Sequence, residues 1–244
     1  MQKNFTLAEI LITLTITGIV AALTVPVIIG FYKERETITK VKSAYSLLSQ
    51  AYKIAYIENG GDLSTWSCYN QTTGGYAKCI TDELSTYLKI SKKVLDYTDN
   101  IPYTLNMQEN TINKTSRMNS LLLSNGFIIK IPAYSNCILY SSWDVNYIEK
   151  FSCPIYVDIN GDKGPNALGK DVFGFKIHKD KIEGWGNKTE PYYTFERMCN
   201  KSRANDYWDG GANGSACTAW ILENDNMDYL HCSGLSWKGK RKCF

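Results

Sequence analysis

The residues of this chain best equipped for chemistry are eight cysteines, two histidines and a run of short oxygen-bearing side chains beginning at Asp158. The cysteines fall in four successive spacings: Cys68/Cys79, Cys137/Cys153, Cys199/Cys217 and Cys232/Cys243. No CxxC pair occurs, whereas zinc sites usually present two ligands close together on one knuckle. His178 and His231 stand outside any HExxH-like motif. The pattern fits disulfides formed in an oxidising compartment. If sequence neighbours pair, each bridge closes a loop of about 12 to 19 residues, worth about 3 kcal/mol on the chain-entropy model. Eight cysteines allow many other pairings, so the connectivity stays open.

In DINGDKGPNALGKD, Asp158, Asn160 and Asp162 alternate as the first oxygen ligands of a calcium loop do. Calcium takes six to eight hard oxygens, and short Asx side chains on a tight turn supply them. The twelfth position is Gly169, where an acidic ligand belongs, and the next carboxylate is Asp171. A turn rich in Asn, Gly and Pro gives the same pattern without metal, and that structural turn is the preferred reading.

A third chemical feature is a charge in an unusual place. Ile10 to Tyr32 carry no charged side chain, and Glu9 sits at the mouth of that run. As a helix rising about 1.5 Å per residue, the run is long enough to cross a ~30 Å hydrocarbon core. The stretch before it, MQKN, is too short and the run too long for an ordinary secretory signal. A carboxylate in a bilayer costs several kcal/mol unless it is paired. Glu9 is therefore either solvated at the interface or destined for a positive partner. Cleavage before Phe5 would create one, an α-amine four residues upstream.

These residues carry a family resemblance. The stretch from Phe5 to Lys33, FTLAEILITLTITGIVAALTVPVIIGFYK, resembles the N-terminus of type IV pilins and type II secretion pseudopilins. Phe5, Thr6, Leu7, Glu9, Gly18 and Pro26 match in place, and Asn4 stands where the family has Gly. The resemblance implies that a prepilin peptidase removes residues 1–4 and methylates the Phe5 amine. It also implies a single pass through the inner membrane, with the body in the periplasm or cell exterior. On assembly, Glu9 would pair with the Phe5 amine of a neighbouring subunit and fix axial register, a buried charge pair used for specificity. Gly18 and Pro26 weaken the helix and so allow it to bend or melt locally in a packed filament. Partners implied are other pilin subunits, in a homo- or hetero-oligomeric filament, and an inner-membrane assembly platform. Pseudopilins often bind calcium in their globular domain, so Ca2+ is the one cofactor the resemblance suggests. The DxNGDxGPNxxGxDxF texture is also similar to that of some bacterial pilin-like proteins.

Several elements must position these groups. Residues 5–32 read as the transmembrane and assembly helix, and 33–60 as its amphipathic continuation. Ile38, Val41, Tyr45, Leu48, Tyr52 and Ala55 form one apolar stripe at three- and four-residue steps, and Gly60-Gly61 ends the helix. Residues 61–244 read as an exported globular body. Cys68 to Cys79 reads as a loop, followed by a polar helix near Thr81 to Leu88. Met118 to Ile131 reads as two strands joined at Asn125-Gly126. Cys137 to Ser141 and Cys153 to Ile159 read as strands, and Val172 to His178 with Lys181 to Trp185 as a hairpin. The expected class is α+β: a long N-terminal helix packed on an antiparallel, pilin-like sheet, with a disulfide-rich C-terminal region.

Composition narrows the alternatives. Hydrophobic residues are 44% and charged residues 21%, ordinary for a folded body, so disorder is excluded for the bulk. Net charge is +3 with no dense basic stripe, and no nucleic acid is expected as partner. The short KGKRK at Lys238 to Lys242 reads as a solvated tail. Trp185, Tyr192, Tyr193, Tyr207, Trp208, Trp220, Tyr229 and Trp237 read as packing more than as a sugar-binding surface. Cys199 to Cys217 would bound a Gly/Asn-rich loop, resembling the variable disulfide-bounded region of pilins. No GxSxG, HExxH or P-loop occurs, so an enzyme is not expected. A filament subunit is the expected function, and a minor pilin acting as an adhesin or ligand-binding tip is the alternative.

Overall fold

A computed structural model describes residues 6–61, 66, 75–109, 115–133, 153–161, 163–178, 180–189, 193–202 and 213–243. The chain divides into two units, Met1–Glu36 and Thr37–Phe244.

The first unit is helical. Helix α1 runs Leu7–Glu58 without interruption, through Pro26. It is long and apolar enough to cross a membrane. Its apolar side chains from Leu7 to Tyr32 are exposed, as a span's would be to lipid. Four threonines lie in this stretch, and each satisfies its own hydroxyl. Thr13 donates to the Glu9 carbonyl, Thr15 to Leu11, Thr17 to Thr13 and Thr24 to Val20, at 2.7–2.9 Å. In hydrocarbon an unbonded hydroxyl would be costly, so back-bonding makes this composition compatible with a span.

In the second unit the remainder of α1 becomes one-sided. Ile38, Val41, Ala44, Leu48, Ala51, Tyr52 and Ala55 are buried, and Tyr45 is half-buried. Gly60 and Gly61 end the helix: Gly61 N–H donates to the Tyr56 carbonyl (2.8 Å) and Gly60 N–H to Ile57 (3.3 Å), the Schellman pattern. The buried stripe joins one hydrophobic core with the sheet residues Leu121, Ile129, Ile131, Ile155, Val157, Phe173, Phe175 and Ile177. Tyr45 stacks near Phe175, ring centroids 6.4 Å apart. The Tyr52 hydroxyl donates to the His178 carbonyl at 2.7 Å.

Helix α2 spans Gly75–Tyr87. It starts earlier than the loop reading of Cys68 to Cys79 allows, because Ala77, Ile80 and Leu84 recur at helical spacing and are all buried. Cys79 therefore sits on a helix.

Six strands follow: β1 Ile90–Asn100, β2 Thr115–Leu123, β3 Ile128–Pro132, β4 Cys153–Asp158, β5 Val172–Ile177 and β6 Ile182–Gly184. They form one antiparallel meander in sequence order. The β2–β3 hairpin turns at Asn125-Gly126, where Gly126 has φ +88° and the Asn125 side chain accepts from Phe127 N–H. The β5–β6 hairpin is also where the sequence placed it. Strand β1 is not evident in the sequence. Its charges, Lys92, Lys93, Asp96 and Asp99, hide any alternation, because it is an edge strand with two register shifts and little burial. The expected strand Cys137 to Ser141 lies outside the described residues.

The C-terminal part adds helices α3 (Phe195–Met198) and α4 (Thr218–Asn224) and two short 3-10 turns. Disulfides Cys199–Cys217 and Cys232–Cys243 staple them. Cys79 and Cys153 are disulfide-bonded as well. Cys68 and Cys137 lie outside the described residues.

Candidate functional site

Asn4 and Phe5 fall outside the described residues, and the first described residue next to them is Thr6. Thr6 caps α1. Its backbone N–H and its hydroxyl both donate to Glu9 Oε2 at 2.8 Å, and the Glu9 N–H donates back to Thr6 Oγ1 at 3.3 Å. This is the reciprocal capping box. The sequence carries its signature, Thr6-x-x-Glu9 directly before an apolar run, in addition to the expected alternatives of a solvated or an amine-paired carboxylate. Glu9 thus has a partner inside its own chain and remains exposed at the helix start. The acidic side chain also complements the helix dipole there. Pro26 lies inside continuous helix, so its missing N–H leaves one carbonyl a turn earlier without its helical donor.

The Asp158 loop is built differently from a calcium loop of the EF-hand type. Gly169, at the position of the acidic ligand, has φ +75°, and a Cβ there would lie 2.8 Å from Cys217 Sγ and 3.0 Å from Leu105. Its carbonyl accepts the Tyr229 hydroxyl at 2.8 Å. Packing against the Cys199–Cys217 bridge explains the glycine. Asp171 closes the loop instead. Oδ1 accepts from Ala167 N–H (2.6 Å), and Oδ2 from Asn166 N–H (2.8 Å) and the Asn160 amide (3.2 Å).

Asp158 is almost wholly buried, 2% exposed. Burial pushes its carboxyl up to about 6, reinforced by the charge of Asp171 and opposed by N–H donors of Asn160 and Gly161 and by Lys130. Asp158 and Asn166 line a cleft of about 560 Å3 with Tyr103, Glu109 and the Asp99–Lys130 ion pair, 2.8 Å. Burial would raise the Asp99 carboxyl as well, but the bond and charge of Lys130 outweigh that and hold it low.

The amide oxygens of Asn160 and Asn166 are buried and accept no hydrogen bond. Orphaned hard oxygens beside a desolvated carboxylate are the donor chemistry calcium uses, so Asp158, Asn160 and Asn166 fit that ion in kind. Among the described residues no group of three or more His, Cys, Asp or Glu could hold a metal. Asp162 lies outside them.

The C-terminal aromatics form core. Phe195 stacks on Trp220 (centroids 4.0 Å apart), with Trp237 and Tyr229 against the same ring. Two indole N–H groups are spent internally: Trp220 donates to Asn226 and Trp237 to the Gly186 carbonyl, each at 2.9 Å, whereas the buried Trp185 N–H has no acceptor among the described residues. Trp185 is buried with Met198 and Ala216. Tyr192, Tyr207 and Trp208 lie outside the described residues.

The KGKRK segment is held by the fold and is no free tail. Ser236 N–H donates to the Lys240 carbonyl (3.0 Å), Arg241 to the Trp237 carbonyl (3.1 Å) and the Asn226 amide to the Arg241 carbonyl (3.3 Å). The Cys232–Cys243 bridge pins its end. Two of these contacts are local, four residues apart, while the Asn226–Arg241 bond joins residues fifteen apart and gives no local signal.

No curated protein and no solved structure matches this chain. One family model does, over residues 27–227, a range that begins immediately after Pro26 and covers the rest of α1, the sheet and most of the C-terminal part. On that match, the chain belongs to a family of unknown function, DUF6613.

Proposed function

We propose that the chain is a pilin-like filament subunit of a type IV pilus or a type II secretion pseudopilus. The observation that carries the reading is one uninterrupted helix. Its first half is apolar, exposed and headed by Thr6 and Glu9, and its second half is packed on an antiparallel sheet. Such a helix can exchange lipid for neighbouring copies of itself, since both surround it with apolar surface. The first half then supplies membrane insertion and filament packing, and the body is carried outside the membrane. Glu9 would leave its bond with Thr6 to meet the amine created by cleavage before Phe5. Calcium, where it binds, would be held by Asp158, Asn160 and Asn166 and would neutralise the buried carboxylate.

A minor subunit that binds a ligand is the second reading. It is favoured by the C-terminal lobe, which two disulfides and an aromatic core hold in one conformation.

The test is intact-mass analysis of the chain co-expressed with a prepilin peptidase. Loss of residues 1–4 with addition of one methyl group is the expected result. An unprocessed N-terminus under conditions where a known prepilin is cut would sink the proposal.

A further inference from the structure

We propose that the C-terminal lobe binds the anionic end group of a glycan, a sugar carboxylate or sugar phosphate, in the pocket between Asn200–Ser202 and His231–Ser236. The pocket has a volume of about 500 Å3. Lys201, Ser202, His231, Ser233 and Ser236 supply its polar lining, over a floor that includes Phe195 and Tyr229. Its one acidic lining residue among those described, Glu196, is already committed, accepting the Trp237 N–H at 2.8 Å.

The rest of the lobe repeats this asymmetry of charge. Asp228 accepts the Cys243 N–H (2.6 Å) and Asp225 pairs with Lys42 (2.7 Å). Glu223 pairs with Lys188 and Arg241. The described carboxylates of the lobe are thus all engaged within the protein. Lys238, Lys240 and Lys242 are exposed and have no ion pair among the described residues. Ser236 connects the two features, since it lines the pocket and its N–H closes the turn that carries Lys238 and Lys240.

Holding several like charges on a locked turn costs electrostatic energy in the free protein, and a bound anion relieves it. Lys201 spends one N–H on the Leu230 carbonyl (3.2 Å) and has two more to donate. A carboxylate or phosphate accepting from that ammonium and from the serine hydroxyls would form charge-assisted bonds. A saccharide fits better than a nucleic acid. Among the described residues, the large aromatic faces on which bases would stack are used inside the core, Phe195 against Trp220 above all. The pocket is confined and Lys201 is the one lysine that lines it, where a nucleic acid would need a long basic stripe. This site does not depend on filament assembly, so it can fail or stand separately from the proposed function.

The test is calorimetric titration of the full chain in uncharged detergent micelles at about 150 mM salt, where exposed charges more than ~8 Å apart are screened. Three probes are used: a hexasaccharide of alternating glucuronate and N-acetylglucosamine, a ribitol-phosphate hexamer, and neutral cellohexaose. At least one acidic probe should bind saturably and the neutral one should not. Which acidic probe binds tells carboxylate from phosphate. Lys201→Gln should weaken that binding about tenfold, the loss of one charged hydrogen bond, and Ser236→Ala several-fold, both with unchanged melting temperature. Absence of saturable binding by either acidic probe, equal binding of cellohexaose, an unaffected Lys201→Gln variant, or tighter binding of duplex DNA than of the acidic saccharides would each overturn the proposal.

Discussion

Replacing Asp158 by Asn should make the body more stable at neutral pH, although the residue is buried at the start of a tightly hydrogen-bonded turn. The native carboxyl is pushed up to about 6 by burial, whereas in the unfolded chain it titrates near ~3.9. The folded state therefore holds its proton more tightly than the unfolded state. Stability from this group is fully present below about pH 4 and is lost as pH rises to about 6, after which the loss is constant. The gap between the two states is worth at most about 3 kcal/mol, less whatever screening the cleft that Asp158 lines provides. Asn keeps the shape and can still accept the Asn160 N–H, which bonds Asp158 Oδ1 at 3.1 Å, while removing the charge. The assay is urea unfolding of wild type and Asp158→Asn in detergent, with chelator present, from pH 4 to pH 8. The variant should gain on wild type across pH 4 to 6 and lead by about 2–3 kcal/mol at pH 7. Millimolar calcium should erase that lead if Asp158 is a ligand, because the ion neutralises the wild-type carboxylate. A variant less stable than wild type at pH 7 without calcium, or a difference flat from pH 4 to 8, would refute the reasoning.

Three further outcomes follow from packing. Leu48→Ala should cost about 2–5 kcal/mol in the same assay, because Leu48 is buried where α1 meets the sheet core. Gly169→Ala should cost about 2 kcal/mol or more, since its φ is positive and a Cβ meets Cys217 Sγ at 2.8 Å; a neutral effect would mean the Gly169–disulfide contact is absent. Changing Cys199 and Cys217 together to Ala should lower stability by about 3 kcal/mol, the closure entropy of a loop with sequence separation 18, read as a drop in melting temperature.

The elements legible in the sequence were those whose signal is local. The helical stripe from Ile38 to Ala55, the Gly60-Gly61 stop, the Asn125-Gly126 turn and the Val172–Trp185 hairpin are periodic or punctuated by turn residues. Strand β1 was not legible because an edge strand needs no apolar face, and its pairing is fixed by β2. The role of Gly169 depends on Cys217, far along the chain, and the locked KGKRK turn depends on Cys232, Asn226 and Trp237. No short window of sequence contains the Gly169–Cys217 contact or the Asn226–Arg241 bond. Glu9 is the opposite case. Its capping partner is three residues upstream and fully visible in the sequence.

That local partner makes the central claim testable with a single substitution. Glutamine can accept from Thr6 as glutamate does, so Glu9→Gln keeps the capping box and removes the charge. The measurement is the amount of the chain in sheared surface filaments relative to the membrane fraction, in cells that carry the assembly machinery. Membrane insertion at wild-type level with filaments nearly absent is the predicted result. Wild-type filaments from Glu9→Gln would show that Glu9 serves only as a helix cap, and the account of assembly through a charge pair would be wrong.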